Sequence, residues 1–370
     1  MRKLASIQRI TNIEPIKGAD RIEQAKVLGW HLVVPKGEFT ENELVVYFEI
    51  DSVFPAWLKE RTGLTDSRLK TRRFKGVYSQ GFCFPIKKLS DKLPVELREG
   101  DDVTAALDIQ KYEADPYNGK KWWRQPKKGP QGIWATCKLT KWLWKKLHKP
   151  AMTSFPDHLV PRTDETRVQI LQDILTEYKG VKCNYTEKLD GSSITFYPEP
   201  KKFLGITYGY KLRVCSRNCM INDKTHFMYQ AAEKEKRWLK AGYIYQGELL
   251  GPNVQGNKYG LDEYRIFIYQ IYSLKKKRYL TPIEMRWWQY STGLDFVPDL
   301  GEFTLTDDID ALVEMAKGDS VLSVRGKNTK REGIVIRPLA YIDGLDKSKF
   351  PGGRLSFKAI NPEFLVKYKL

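Results

Sequence analysis

A lysine near the middle of the chain stands where an amine could act as a nucleophile. Residues 185–193 read Tyr-Thr-Glu-Lys-Leu-Asp-Gly-Ser-Ser, so Lys188 ends a short strand-like run and precedes a tight turn. A lysine in that position can project its amine into a pocket floored by backbone, and desolvation or nearby cations can activate the amine for attack. Taken alone, the pattern favours the simpler interpretation, a surface lysine at the end of a strand.

Five later segments change that interpretation, because each is an apolar, strand-like stretch that contains a charged or aromatic residue. In chain order they are residues 214–218 (VCSRN), 245–252 (YQGELLGP), 266–272 (IFIYQIY), 331–337 (REGIVIR) and 356–360 (SFKAI). The side chains in them that could do chemistry are Arg217, Glu248, Tyr269, Glu332 and Lys358.

Together with Lys188, these segments resemble the ordered motifs of the covalent nucleotidyltransferases, which comprise DNA ligases, RNA ligases and mRNA capping enzymes. The resemblance spans residues 185–360. Within that superfamily the chain most resembles ATP-dependent RNA ligases, since residues 247–255 read Gly-Glu-Leu-Leu-Gly-Pro-Asn-Val-Gln, as in RNA ligase 2 and RNA-editing ligases. Only twelve residues follow Lys358. We therefore expect no trailing OB domain of the kind found in DNA ligases and capping enzymes.

The resemblance implies a role for each motif residue. Lys188 would be the nucleophile that forms a phosphoramidate with AMP, and the catalytic set would be Lys188, Glu332 and Lys358. Residues implied in ATP binding are Glu187, Arg217, Glu248, Tyr269 and Lys358, with Tyr269 stacking on adenine and the Glu187 backbone reading its edge. Asp190, Glu248 and Glu332 would hold Mg²⁺ or Mn²⁺, since such cations prefer oxygen ligands.

Some positions depart from the RNA ligase 2 pattern. The last motif has Lys358 followed by Ile360, where those relatives carry a second lysine, and Gln270 stands where they have Asp. Tyr269 replaces the commoner Phe, a change that a stacking role tolerates. Lys367 is a candidate for the missing cation.

The implied activity is sealing of RNA 3′-OH and 5′-phosphate ends in three steps: enzyme adenylation by ATP, AMP transfer to the 5′-phosphate, and joining. The expected substrate is RNA, in a nicked duplex. Two alternatives remain open, an ATP-dependent DNA ligase and an RNA-binding protein with an inactive transferase domain.

Domain organisation follows from composition. The sequence predicts an α+β protein with an OB-like, nucleic-acid-binding β-barrel in residues 1–110, a basic, Trp-rich insertion and linker in residues 111–160, and a nucleotidyltransferase domain of antiparallel sheets and helices in residues 161–370. Short β-rich segments separated by turns indicate the barrel; they are Ala5–Ile13, His31–Val34, Glu43–Ile50 and Phe82–Ile86.

Helix signals occur in the third region. Thr163 is placed to cap a helix that presents Val168, Leu171, Ile174 and Leu175 on one face and ends at Gly180. Residues 281–284 (Thr-Pro-Ile-Glu) predict a capping box with proline in the first turn. Cys215 and Cys219 lack histidine partners, so core or surface positions are favoured over a metal site.

Charge points to a polyanionic partner, because 63 Lys and Arg face 45 Asp and Glu, for a net charge of +18. Residues 111–150 contain ten lysines and one arginine but only two acidic residues, together with five of the ten tryptophans. The nucleic-acid contacts predicted from this and from the barrel are Arg72, Arg73, Lys75, Lys120, Lys121, Lys127 and Lys128. A basic surface kept for solubility is the alternative.

Other classes of protein are disfavoured. No apolar run reaches the ~18–20 residues of a membrane span, and the start of the chain lacks a signal peptide. Five cysteines without a CxxC pair fit a reducing, intracellular compartment better than a disulfide framework. We expect a monomer that does not bind membranes.

Overall fold

The computed structural model describes residues 3–66, 68–112, 137–140, 151–160, 164–322, 328–342, 345, 350 and 353–370. Lys120, Lys121, Lys127 and Lys128, which the sequence predicts to contact nucleic acid, lie outside these residues. No helix among the described residues is long and apolar enough to cross a membrane.

The N-terminal domain is built mainly of short strands. They are β1 (Ala5–Pro15), β2 (Ile22–Val27), β3 (Trp30–Pro35), β4 (Leu44–Phe48), β5 (Ser52–Val53), β6 (Arg72–Phe74), β7 (Val77–Ser79), β8 (Phe82–Pro85) and β9 (Gln110–Lys111), with helix α1 (Ala56–Thr62) and a 3₁₀ turn at Ile86–Leu89. Five of the strands form an antiparallel sheet in the order β3-β2-β1-β4-β8.

This sheet curls back on itself. The N–H of Gln80, just before β8, donates to the carbonyl of His31 in β3 at 2.8 Å, and the Ser79 hydroxyl accepts from the Val33 N–H at 3.0 Å. These bonds join the two ends of the sheet and leave a core inside that includes the buried side chains of Trp30 and Tyr47. The alternating β-rich segments therefore form the predicted OB-like architecture.

The C-terminal domain alternates longer strands with short helices. Its strands are β10 (Met152–Ser154), β11 (Thr166–Arg167), β12 (Lys182–Lys188), β13 (Ser192–Phe203), β14 (Ile206–Ser216), β15 (Cys219–Ile221), β16 (Tyr243–Leu250), β17 (Arg265–Ser273), β18 (Arg278–Tyr279), β19 (Asp295–Phe296), β20 (Asp299–Thr304), β21 (Gly333–Pro338) and β22 (Phe357–Ile360). Its helices are α2 (Gln172–Glu177), α3 (Phe227–Glu235), α4 (Pro282–Ser291), α5 (Ile309–Met315) and α6 (Pro362–Lys367), with 3₁₀ turns at Val168–Ile170 and Lys236–Trp238.

Two sheets carry the motif residues. The first has eight strands, with the order β10-β15-β14-β13-β16-β17-β18 and β19 pairing with β17, and it holds Glu248 and Tyr269. The second has the order β11-β22-β21-β12-β20 and holds Lys188 and Lys358. Lys188 and Glu332, 144 residues apart in sequence, therefore meet where β12 pairs with β21, and β22 with Lys358 lies on the other side of β21. Since β10 joins the first sheet, residues 152–154 pack with this domain.

The helix predicted from Thr163 to Gly180 is wrong in its first half. Thr163 lies outside the described residues, and Thr166 and Arg167 form strand β11, which pairs in parallel with β22. A 3₁₀ turn follows, and the α-helix begins only at Gln172. Tertiary pairing with β22 thus overrides the local helix signal. The apolar residues predicted to share one face, Val168, Leu171, Ile174 and Leu175, are buried in one cluster.

The capping box of α4 is confirmed. The Thr281 hydroxyl accepts from the Glu284 N–H at 3.3 Å, and the Glu284 carboxylate accepts from the Thr281 N–H at 2.8 Å. Two N-terminal donors of the helix are satisfied in this way.

The two domains contact each other beside β11. The Gly29 N–H donates to the Gln169 carbonyl at 2.8 Å, and a Cβ at Gly29 would lie 2.9 Å from the Gln169 Cα. Asp310 at the start of α5 pairs with Lys26 and with His31, each at 2.8 Å. The N-terminal domain is thereby held against the strand that lies next to Lys358.

Candidate active site

Lys188 is held by a carboxylate on the neighbouring strand. It is the last residue of β12, and it lies opposite Gly333 at the start of β21. This register places Glu332 beside the lysine, and Nζ donates to both carboxylate oxygens, at 2.7 and 2.6 Å. Both side chains are mostly buried, 26% and 15% exposed. Lys188 is therefore not a surface lysine at a strand end.

Two more carboxylates surround the amine. Burial alone would lower the pKa of Lys188, but Glu332, Glu248 and Asp190 outweigh it and hold that pKa above its ordinary value. Burial is the main cause that raises the pKa of Glu248 to about 8; the negative charges of Glu332 and Asp190 act in the same direction, and Lys188 opposes them. The site thus gathers three acidic side chains around one ammonium group, so an added cation would relieve their mutual repulsion.

Hydrogen bonds from the backbone of the turn after Lys188 hold the turn in place and fix the Glu248 carboxylate. Glu248 on β16 accepts from the Gly191 N–H at 3.1 Å, and the Asp190 N–H donates to the Tyr259 hydroxyl at 2.8 Å. The tight turn after Lys188 is therefore bonded both to β16 and to the loop that follows it.

Gly191 allows this close approach. A Cβ there would lie 2.4 Å from the Leu249 carbonyl oxygen, 2.5 Å from the Leu250 side chain and 3.0 Å from the Glu248 Cγ. We expect Gly191→Ala to displace Glu248 and to cost about 1–3 kcal/mol of stability. Thermal unfolding measures this loss. Gly209→Ala is the matched control for stability, because nothing lies within 4 Å of a Cβ there; an unchanged melting temperature in both variants would contradict the packing argument.

Lys358 lies on β22 near this cluster. Its Nζ donates to an Asp164 carboxylate oxygen at 3.3 Å, and Arg217 donates to the other oxygen of the same carboxylate at 2.9 Å. Burial lowers the pKa of Lys358 to about 8, helped by the charges of Arg167 and Lys188 and opposed by Asp164. Lys358 and Arg217 are thus brought together through Asp164, which the sequence did not single out. Arg217 itself is 55% exposed and, among the described contacts, reaches none of the three carboxylates around Lys188.

Glu187 directly precedes the lysine on β12, and Tyr269 lies on β17 of the other sheet. Glu187 is buried, and this burial raises the pKa of its carboxyl group. Its Oε2 accepts a hydrogen bond from the Val321 N–H at 3.0 Å. Its own N–H donates to the Pro298 carbonyl at 2.9 Å, so this donor has a protein partner already. The Tyr269 hydroxyl is 3.2 Å from the Ser193 hydroxyl, and the ring is half-buried at a bulge in β17. The predicted adenine contacts of both residues stay predictions.

The donor chemistry of the cluster fits a magnesium or manganese ion. Asp190, Glu248 and Glu332 offer carboxylate oxygens, the ligands that these cations prefer. Among the described residues no three His, Cys, Asp or Glu side chains stand ready to hold a metal by themselves. An ion here would need water and phosphate oxygens to complete its coordination, as Mg²⁺ commonly does. Cys215 is buried, as the sequence favoured.

Sequence reasoning missed Lys258, which supports Asp190. The two side chains form an ion pair and are 13% and 15% exposed. The ammonium also donates to the Gln255 carbonyl at 2.9 Å and lies 5.1 Å from the centre of the Tyr368 ring on the C-terminal segment. No local pattern marks this lysine, because it stands in an irregular loop and its partner is 68 residues away.

Arg167 is a second residue without a sequence signal. It is the register partner of Lys358 on β11, and its guanidinium lies 5.5 Å from the centre of the Trp30 ring in the N-terminal domain. Its Nη2 is 3.5 Å from the Asp51 carboxylate. The N-terminal domain therefore helps to hold a cation next to Lys358.

The departures from the ligase pattern have structural explanations. Ile360 is buried against Ile50 of the N-terminal domain and Phe364 of α6, so an apolar residue fits there. Gln270 donates to the Gln246 side chain at 2.5 Å and accepts from Arg354 within a buried network. The Nζ of Lys367, the candidate for the missing cation, donates to the Asn328 carbonyl, and its contact with the triphosphate stays a prediction.

The predicted nucleic-acid residues of the first domain lie on the hairpin β6–β7. Arg72, Arg73 and Lys75 are all exposed. Arg72 pairs with Asp66, and the Arg73 guanidinium lies 5.3 Å from the centre of the Tyr78 ring. In the part of the chain that the structure describes, none of them contacts the cluster around Lys188.

Comparisons with known proteins find matches to both domains. Residues 182–360 match the RNA ligase family and residues 4–86 match an OB-fold domain. A ligand-free variant of the Naegleria gruberi RNA ligase shares 30% identity with a TM-score of 0.76, over 100% of this chain and 99% of that chain. A variant of the same ligase with ATP and Mn shares 30% identity at a TM-score of 0.75, over 99% of both chains.

The ligase from that organism with PPi gives 31% identity and a TM-score of 0.73, over 100% of this chain and 99% of that chain. The comparison with curated protein sequences gives no match. The OB fold predicted for the N-terminal domain is confirmed.

Proposed function

Because this chain belongs to the ATP-dependent RNA ligases that carry an N-terminal OB-fold domain, we propose that it seals RNA 3′-OH and 5′-phosphate ends through a lysyl-AMP intermediate on Lys188. ATP and a divalent metal ion are its cofactors. The observation that carries the proposal is the placement of Lys188 among Glu332, Glu248 and Asp190. A buried amine at the junction of two sheets, beside a second buried cation at Lys358, suits attack on a phosphate.

In the first step the Lys188 nitrogen attacks the α-phosphorus of ATP. The P–N bond forms while the bond from that phosphorus to the bridging oxygen of the β-phosphate breaks, and pyrophosphate leaves. Glu332 orients Nζ through two short hydrogen bonds and, as the acceptor of both, is placed to take the proton that the ammonium must lose before attack. Lys358 neutralises charge that develops on the α-phosphate.

The metal ion, when bound, would supply further positive charge for the phosphates and lower the pKa of the attacking lysine. Asp190, Glu248 and Glu332 are the residues that would hold it. Lys258 positions Asp190 for this role. Tyr269 would stack on adenine, with Glu187 and Arg217 completing the ATP contacts.

In the second and third steps the AMP leaves Lys188. The 5′-phosphate of RNA attacks the phosphorus of the lysyl-AMP, so the P–N bond breaks and a pyrophosphate linkage forms. The RNA 3′-OH then attacks the 5′-phosphate and AMP leaves. Lys188 recovers its proton as it is released and returns to Glu332.

We also propose that two basic parts of the chain bind the RNA. The basic segment with Lys120, Lys121, Lys127 and Lys128 provides charge for phosphates, as do the exposed Arg72, Arg73 and Lys75. A nicked duplex is the proposed substrate and a monomer the proposed state. The five free cysteines support an intracellular, reducing environment.

The experiment that tests this function uses matched nicked duplexes with RNA or DNA on each side of the nick. We expect ATP-dependent sealing when RNA supplies the 3′-OH, and ATP-independent sealing of an RNA that carries a preformed 5′-adenylate. Equal or better sealing of the all-DNA nick would favour the DNA ligase alternative. Formation of labelled enzyme without any joining would contradict the proposed end chemistry.

A further inference from the structure

A protruding hairpin extends one sheet of the ligase domain away from the active site. Strand β13 pairs with β16 only over Ser192–Phe196, and β14 pairs with β15 only at Val214 and Cys215. Beyond those residues β13 and β14 pair with each other, out to Phe203 opposite Ile206. Among the described residues, the outer half of this hairpin therefore has no neighbouring strand.

The tip of the hairpin is apolar and exposed. Of the seventeen exposed large hydrophobic residues in the described part of the chain, five lie within the eight residues 203–210. They are Phe203 (70% exposed), Leu204 (86%), Ile206 (72%), Tyr208 (69%) and Tyr210 (48%). Exposed apolar residues are unremarkable singly, but a cluster of this kind marks an interaction surface.

The turn residue Leu204 adds an independent observation. Leu204 and Gly205 form the two-residue turn with φ of 47° and 83°, a left-handed conformation that favours Asn, Asp or Gly at the first position. A leucine there is strained, and its side chain gains nothing from burial, because it is exposed. Folding therefore does not explain the leucine, whereas contact with a partner does.

Charge indicates which partner. Lys201 and Lys202 adjoin the aromatic residues, are exposed, and form no ion pair with any residue that the structure describes. Glu199, the acidic residue of the hairpin, is neutralised by Arg213 at 2.6 Å. Lysines next to exposed tyrosines and apolar side chains suit an RNA duplex, with charge for its phosphates and with hydroxyls and rings that contact the 2′-hydroxyls and riboses of its shallow minor groove.

We propose that this hairpin, residues 197–213, is a contact for the RNA substrate at a distance from the reaction. Strand β13 starts at the active site, where Ser193 lies opposite Glu248, and ten residues separate Ser193 from Phe203. At about 3.3 Å per residue the tip lies about 30 Å from the site. The hairpin thus contacts RNA on the order of ten nucleotides from the ends being joined.

The proposal rests on RNA as the substrate, and it makes a length-dependent prediction. Phe203→Ser with Tyr208→Ser, and separately Lys201→Gln with Lys202→Gln, should raise KM about tenfold for nicked RNA with arms of about fifteen base pairs. For nicked RNA with arms of about five base pairs, these variants should have the same KM as the wild type. The lysine pair should also reduce the log–log salt slope of RNA binding by about one to two.

Leu204→Asn is the variant that separates binding from folding. Asn adopts the left-handed conformation more easily than Leu, so the melting temperature should stay the same or rise while KM for the long substrate increases. Tyr290→Ser and Lys275→Gln, exposed outside the hairpin, are the matched controls and should leave KM unchanged.

Two results would overturn the proposal. One is an unchanged KM for the long substrate in all hairpin variants; the other is an equal loss on long and short arms, which would place the effect at the active site. Sedimentation tests the competing occupant, a second copy of this chain. If the wild type is a dimer, the serine variant is a monomer and KM is unchanged, the hairpin is a self-association surface. Failure of the wild type to seal any RNA would instead contradict the proposed function, so the two failures are distinguishable.

Discussion

Replacing Lys188 with alanine is expected to abolish covalent AMP attachment to the enzyme, a loss on the order of 10⁴-fold or more. The structure makes this a sharp test, because it contains a competing nucleophile. Burial lowers the pKa of Lys358 to about 8, whereas the carboxylates around Lys188 hold its pKa above the ordinary value. On protonation alone, Lys358 would be the more reactive amine in the absence of ATP and metal.

Geometry favours Lys188 nonetheless. It lies among Glu332, Glu248 and Asp190, the groups that fit a metal ion, and such an ion would lower its pKa when ATP arrives. Lys358→Ala should therefore slow adenylation by about 10²-fold, the scale of losing a charge-stabilising group, while Lys188 still acquires the label. Lys188→Arg is the charge-preserving control, and it should also fail, because a guanidinium stays protonated.

Peptide mapping of protein incubated with labelled ATP and Mg²⁺ measures the outcome. The label should map to the peptide that contains Lys188 in the wild type and in Lys358→Ala. A label that persists in Lys188→Ala and maps to Lys358 would reverse the two roles.

The strands that carry the motif residues could be predicted from the sequence, because the tendency to form a strand depends on patterns that are local. Lys188, Glu248 and Lys358 each sit in an apolar, strand-like run, and the strands that carry them pair as β12-β21-β22 and β13-β16-β17. Glu332 is positioned in the same way, because it directly precedes strand β21. The resemblance supplied what local patterns lack, namely which strands are neighbours.

Contacts between distant segments could not be predicted. The helix expected from Thr163 gave way to β11, because the partner strand β22 lies about 190 residues later. Ile360 stands where the RNA ligase 2 pattern has a second lysine, and it packs in an apolar cluster with Ile50 from the other domain. Lys258 forms its ion pair with Asp190 from an irregular loop, where the sequence has no helix or strand pattern that would predict the contact. In each case the deciding group is remote in the sequence.

Glu332→Gln should change the pH dependence of adenylation as well as its rate. In the proposed mechanism the attacking Lys188 must be neutral, so the rate of adenylation should rise with pH until the amine is deprotonated. Burial lowers the pKa of this amine and Glu332 is the first of the groups that raise it. Removing that negative charge lets burial dominate, so the pKa falls and the rising limb of the profile moves to lower pH.

The maximal rate should fall at the same time, by about 10²-fold, because the neutral amide of the variant would neither orient Nζ as an ionised partner nor offer a carboxylate to the metal. Single-turnover adenylation at saturating ATP and Mg²⁺, measured across pH, reports both quantities. Glu263→Gln is the matched control, since Glu263 pairs with Lys234 on the surface and both side chains are well exposed. This variant should change neither the pH at which the adenylation rate rises nor the maximal rate. If the rising limb of the pH–rate profile of Glu332→Gln stays in place or moves to higher pH, the Lys188–Glu332 pair does not govern deprotonation of the nucleophile.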